Sequence, residues 1–186
     1  TVEWVELTSR PASNQIGIAY SDTNDDVSAY RWNGTAAADE ATAVITATAG
    51  AGNVRKFDVS FEGTSGDMLV VAWVAGAGTA ATGQLVGTTW TIGTQTGVDM
   101  ITGFVDLQEP NPSDNDIAIF SHGTAASANP SEGFEWSGTG VTDGTLGDDV
   151  VQNWAANYQI GAVSYLSTTY YGVAVISNST AVDDID

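Results

Sequence analysis

The chain has 186 residues, no Cys, 23 acidic side chains against four basic ones and a formal charge of -19. Without Cys there are no disulfides, Cys-ligated metals or thiol nucleophiles. With so few cations there is no means of releasing counterions from nucleic acid or anionic lipid, so neutral hydroxyl-rich molecules or cations are the natural ligands.

In chain order, short β-branched and aromatic runs recur about every ten residues between Gly, Asn, Asp and Ser, and predict strands. The first half reads as strands over 3–7, 15–21, 27–32, 42–48, 56–62, 68–75 and 88–93. The second half continues over 101–107, 116–121, 133–136, 158–166 and 171–177, with room for a short helix at 147–157. The runs "IGIAY", "MLVVAWV", "IAIFS" and "GVAVIS" are apolar on both sides, which indicates strands buried between two layers.

An internal repeat organises these strands. Trp4-Val5-Glu6-Leu7 aligns with Phe104-Val105-Asp106-Leu107, and "PASNQIGI" from Pro11 aligns with "PSDNDIAI" from Pro112. Trp32-Asn33-Gly34-Thr35 aligns with Trp136-Ser137-Gly138-Thr139, and Phe57-Asp58-Val59 with Tyr158-Gln159-Ile160. Each half divides again, with buried strands starting near Ile16, Met68, Ile117 and Gly172. The expectation is a single all-β domain over 1–186, with halves 1–99 and 100–186, that is β-propeller-like. It would have about four blade units of 45–50 residues; a duplicated two-sheet β-sandwich is the alternative. The fourth unit reads as short of outer strands, which addition of the N-terminal strand to the last sheet, or a larger ring, would remedy.

"SNQIGIAYSDTNDDVSAYRWNGT" resembles the repeats of sialidase-like, BNR-type β-propellers of secreted and cell-surface bacterial proteins. The resemblance implies a propeller; the Asp-box Ser-x-Asp-x-Gly-x-Thr-Trp is nowhere intact, so it does not imply sialidase chemistry. A sialidase also grips its substrate carboxylate with clustered arginines, whereas Arg10, Arg31 and Arg55 read as surface or blade-edge charges. The lone His122 on a turn has no nucleophile elbow to serve. No catalytic residues are assigned.

Two loops carry oxygen ligands at alternate positions, the spacing by which a tight loop converges on Ca²⁺: Asp22, Asn24 and Asp26, and Asp114 with Asp116. The same residues favour Asx turns. Trp32, Trp90 and Trp136 read as recurring packing residues rather than sugar platforms, and Asn33-Gly34 as a hairpin turn, although Asn33 and Asn178 both stand in glycosylation sequons.

No stretch is long and apolar enough for a membrane helix, and no charged-then-apolar leader opens the chain, so membrane insertion by this chain is not expected. The composition points outside the cell or to its surface. The expected role is a non-catalytic structural or binding module of such an assembly, for instance a pilus-like filament subunit that meets a protein partner or further copies through an open sheet edge. A calcium-dependent lectin that binds glycans is the alternative, and a degenerate glycoside hydrolase the third reading.

Overall fold

The computed structural model describes residues 1–35, 42–47, 49, 55–75, 79–96, 103–108, 110, 113–123, 131–143, 161–167 and 170–175; for the last two of these ranges it describes the backbone alone. The expected helix at 147–157 lies outside the described residues.

Every described element is a strand, and the strands form a series of antiparallel meanders. Unit 1 contains β1 (Val2–Ser9), β2 (Ile16–Asp22), β3 (Val27–Trp32) and β4 (Ala43–Thr46). Unit 2 contains β5 (Phe57–Phe61), β6 (Met68–Trp73), β7 (Thr79–Val86) and β8 (Thr89–Thr96). Unit 3 contains β9 (Gly103–Leu107), β10 (Ile117–Gly123), β11 (Ser131–Trp136) and β12 (Val141–Asp143). Unit 4 is described through β13 (Gly161–Ser167) and β14 (Tyr170–Val175). The sandwich alternative does not hold, because these are separate sheets stacked one behind the next. The N-terminal strand is also not the outer strand of the last sheet: β1 pairs with β2 from Val2↔Asp22 to Ser9↔Ile16, brought there by the short Arg10–Gln15 connection.

The register makes the units superimposable residue by residue. Ile16 faces Trp32, Met68 faces Leu85 and Ile117 faces Trp136 across the second and third strands. Glu6 pairs with Ala19, Asp58 with Val71 and Asp106 with Phe120 across the first and second. Alternation then gives each sheet two faces. One carries Val5, Leu7, Ile18 and Tyr30 in unit 1, Phe57, Val59, Val70 and Gly83 in unit 2, and Val105, Leu107, Ile119 and Phe134 in unit 3.

Two cores lie between the units. The first joins Ala19, Val27, Ala29 and Ile45 of unit 1 to Phe57, Phe61, Met68, Val70 and Leu85 of unit 2. The second joins Leu69, Val71, Trp73 and Ala80 of unit 2 to Leu107, Ile117, Ile119, Phe134 and Trp136 of unit 3. Thus β6 is buried on both sides, as its unbroken apolar run requires. The first strands lie side by side, β1 against β5, β5 against β9 and β9 against β13, so the sheets share an axis along their first strands.

Strand β7, "TAATGQLV", is absent from the sequence-based list because Ala, Thr and Gly give little strand signal. Its small residues serve packing: a Cβ on Gly83 would stand 2.4 Å from Ile45 Cδ1, so only Gly lets unit 1 seat that side chain.

Candidate functional site

The residues of interest fall at three places: the junction of the first strands, the end of the sheets where the first-to-second and third-to-fourth strand turns meet, and the opposite end.

At the junction, Glu6, Asp58 and Asp106 occupy one register position in three successive units, and one guanidinium holds all three. Arg55 Nε is 2.9 Å from Glu6 Oε1, and its Nη2 reaches Asp106 Oδ1 at 2.8 Å and also contacts Asp58 Oδ2. Asp58 accepts backbone hydrogen bonds besides, from Val59 N at 2.8 Å and from Leu107 N at 2.6 Å. Three like charges so close would repel, and the planar, five-donor guanidinium offsets them. Burial works against charge on Arg55, yet Asp58, Asp106 and Glu6 hold its pKa above the usual value. Burial also pushes the Asp58 carboxyl up to about 7, overcoming the opposing pull of Arg55. Arg55 is therefore a half-buried tie between three units and not the edge charge that its Gly-rich context suggests. The signal was present as apolar-acid-apolar triplets, "VEL" at 5–7, "FDV" at 57–59 and "VDL" at 105–107.

The other two arginines are engaged elsewhere. Arg31, only 4% exposed, donates to Gly87 O at 2.5 Å, and Arg10 donates to Gln15 Oε1 at 2.7 Å and to Ser65 O at 3.1 Å. The three do not converge, so the carboxylate grip of a sialidase is not assembled from them.

At the turn end, Glu62 is 2% exposed and anchors the junction of units 2 and 3. Its Oε1 accepts from Trp136 Nε1 at 2.8 Å and from Gln84 Nε2 at 2.8 Å, while its Oε2 accepts from Ser65 Oγ at 2.6 Å. Asn115 Oδ1 accepts from Thr64 N at 3.1 Å and Ser65 N at 2.8 Å, tying the matching loops together.

The equivalent end of unit 1 is built differently. Trp32 stands at the position of Leu85 and Trp136, but its face of the sheet is not covered by another described unit. Around it lies a cavity of about 350 Å³ lined by Ser9, Ser13, Asn14, Gln15, Ile16, Trp32 and Gly34. Gly34 forms the wall with φ +89°, where a Cβ would stand 2.8 Å from Asn14 Cβ; no other residue fits that turn without displacing Asn14. Asn33 Oδ1 accepts from Thr35 N at 3.0 Å and Thr35 Oγ1 at 2.7 Å and fixes the turn. Among the described residues, the half-buried Trp32 indole N–H and the Asn14 amide have no hydrogen-bond partner, whereas the Trp136 indole is satisfied by Glu62. Trp90 is not a third equivalent: it sits on β8, across the strand pair from Leu85.

The candidate calcium ligands occupy two different ends. Asp22, Asn24 and Asp26 form the β2–β3 turn, with Asp25 at φ +64°. There Asp22 Oδ1 accepts from Asn24 N at 2.9 Å and Asp26 N at 3.3 Å. The Asn24 N–H bond is the main reason why the Asp22 carboxyl is held below the usual range. Neighbouring Asp25 pairs with Lys56 Nζ at 3.4 Å. Asp114 and Asp116 lie instead in the β9–β10 connection, where Asp114 Oδ1 accepts from Asp116 N at 3.2 Å. The structure thus brings Asp22, Asn24 and Asp26 together in one turn, and Asp114 with Asp116 in another, but does not bring the two sets to one place. Among the described residues, no three His, Asp or Glu side chains gather as a metal-binding group.

With this geometry in hand, solved structures supply a fold. The fucose-specific lectin from Aleuria aurantia, in a mercury derivative, matches with TM-score 0.55 and 11% identity, over 91% of this chain and 54% of the lectin. A mutant of Aleuria aurantia lectin in complex with Fucα1-6GlcNAc matches with TM-score 0.55 and 14% identity, over 95% of this chain and 57% of that one. The chain has a β-propeller-like fold. It spans a little over half the length of these lectins. The likeness bears out the propeller repeat that the sialidase-type resemblance implied, and not a sialidase match. No protein-family model matches the sequence, and no curated protein matches it.

Proposed function

We propose that this chain is a non-catalytic, carbohydrate-binding module that works outside the cell or on its surface, with its binding site at the Trp32 cavity. The carrying observation is the contrast between equivalent tryptophans. Trp136 is buried and donates to Glu62, while the half-buried Trp32, whose N–H has no partner among the described residues, lines a cavity together with Ser9, Ser13, Asn14 and Gln15. An aromatic face beside convergent amides and hydroxyls suits a sugar, which offers apolar C–H on one side and hydroxyls at its rim. A charge of -19 favours neutral glycans over sulfated or sialylated ones.

The lectin alternative is therefore preferred to the filament reading that the sequence put first. Support also comes from the two structural relatives, one a fucose-specific lectin and the other carrying Fucα1-6GlcNAc, which makes fucosylated glycans the first probes. A glycan array probed with wild-type protein and Trp32→Ala tests the reading. Binding of neutral, fucose-bearing glycans by wild type, weakened at least about tenfold by the substitution, is the expected result; a blank array ends it.

Calcium is an addition to this proposal with its own test. The Asp22 turn is its best seat, because its carboxylate is open to solvent and ionised. A melting temperature that climbs with calcium, and no longer does so in Asp22→Asn, is expected; flat melting through millimolar calcium removes the cation.

A further inference from the structure

Arg10 and Glu62 hold one register position, just after the pairs Ser9↔Ile16 and Phe61↔Met68. Each makes the same backbone bond across its turn, Arg10 N to Gln15 O at 3.0 Å and Glu62 N to Asp67 O at 2.8 Å. Glu62 is saturated within the fold, because Trp136, Gln84 and Ser65 all donate to it. Arg10 is held from the neighbouring sheet: its Nη2 donates to Ser65 O of unit 2 at 3.1 Å, and its Nη1 donates to Gln15 Oε1 at 2.7 Å. Room for the guanidinium exists at Gly66, where φ is +70° and a Cβ would collide with Arg10 Nε, Cζ and Nη2.

A guanidinium has five donors and no acceptor, so it fixes which way the Gln15 amide lies: the oxygen faces Arg10 and the NH2 faces away. Gln15 lines the Trp32 cavity, and Arg10 stands outside that lining. Gln15 N also donates to Ser13 Oγ at 2.9 Å, which holds the backbone of the same turn. Among the described residues the Gln15 NH2 has no acceptor. We infer that Arg10 is a positioning residue for the ligand of this cavity: by holding the Gln15 oxygen, it keeps the amide NH2 as the donor offered to an acceptor oxygen of that ligand. The inference rests on the carbohydrate reading of the Trp32 cavity and adds a selection rule to it. An amide free to turn serves donors and acceptors alike and loses side-chain entropy on binding, whereas one held in advance favours a single placement of the sugar.

The test is calorimetric titration of the tightest-binding neutral glycan of an array, with Fucα1-6GlcNAc as the first probe, into the 186-residue chain and its variants. Arg10→Ala is expected to weaken binding about tenfold, the order for one well-placed hydrogen bond. Gln15→Ala is expected to weaken it as much, and Arg10→Ala added to Gln15→Ala to change nothing further, because Arg10 acts through that amide. Arg10→Lys, which likewise only donates, keeps most of the affinity. Gln15→Glu keeps the bond to Arg10 but turns an acceptor towards the ligand, so it weakens binding while leaving the melting temperature in place; this variant decides the matter if Arg10→Ala does not fold, as circular dichroism would show. A residue that merely braces the turn would weaken the Gln15→Ala background again when removed, and that result overturns the inference, as does wild-type affinity in Arg10→Ala or in Gln15→Glu. These outcomes leave the carbohydrate reading standing if Trp32→Ala abolishes binding, whereas a wild type that binds no glycan ends both.

Discussion

Trp32 and Trp136 close equivalent strands in equivalent units, and their surroundings separate a position that a neighbouring unit covers from one that no described unit covers. Around Trp136 the junction is complete: the ring is 3% exposed, its N–H is held by Glu62, and Phe134 and Ile117 lie beside it. Around Trp32 the same sheet position has polar loops for neighbours and a cavity where the next sheet would be. A repeat protein can thus reuse one side chain in different units: at Trp136 it packs under a neighbouring unit, and at Trp32, which no described unit covers, the proposed use is a ligand platform. Sequence alone cannot distinguish the two, because the difference is made by what lies across the gap.

The largest effects are expected at the closed junctions. Replacing Arg55 with Met leaves the buried Asp58 and the half-buried Glu6 and Asp106 together without their cation, and should cost about 3 kcal/mol of stability in denaturant titration. Phe134→Ala should cost a similar ~3–5 kcal/mol by emptying a fully buried site, whereas Leu7→Ala at the equivalent sheet face of unit 1 should cost below ~1 kcal/mol under conditions where the chain is monomeric. Equal losses at both positions would mean that the unit 1 face is already covered within one chain.

The pH dependence is an intermediate effect. The Asp58 carboxyl is raised from 3.8 in the unfolded chain to about 7 in the fold, so the folded protein binds this proton more tightly. Its contribution is fully present below about pH 4 and is lost as pH rises through about 7, so stability should decline over that interval. Asp58→Asn should flatten the decline, as followed by melting temperature against pH; a wild-type curve that rises across the interval would contradict the burial argument.

Much of the fold was legible because apolar runs and turn residues alternate with little interruption, and the starts near Ile16, Met68, Ile117 and Gly172 each fall on or within the second strand of a unit. Strand β7 was hidden since its job is to be small beneath Ile45, a demand made by another sheet and not by its own neighbours. The Asx turns at Asp22 and Asp114 were legible as turns from residue type. The arginine tie was not, because Arg55 precedes its strand and its partners come from units about fifty residues apart, Glu6, Asp58 and Asp106, so only alignment of the quarters exposes it. The Trp32 cavity needed the three-dimensional neighbourhood of the Ser9–Gln15 connection.

The most direct test of the account is calorimetric titration of the glycan that the wild-type protein binds, repeated on Trp32→Ala and Trp136→Phe. The account predicts loss of binding with little change in melting temperature for Trp32→Ala. For Trp136→Phe it predicts retained binding with about 1–2 kcal/mol less stability, since Glu62 loses a donor. Binding that survives in Trp32→Ala, or that falls equally in both variants, would contradict it.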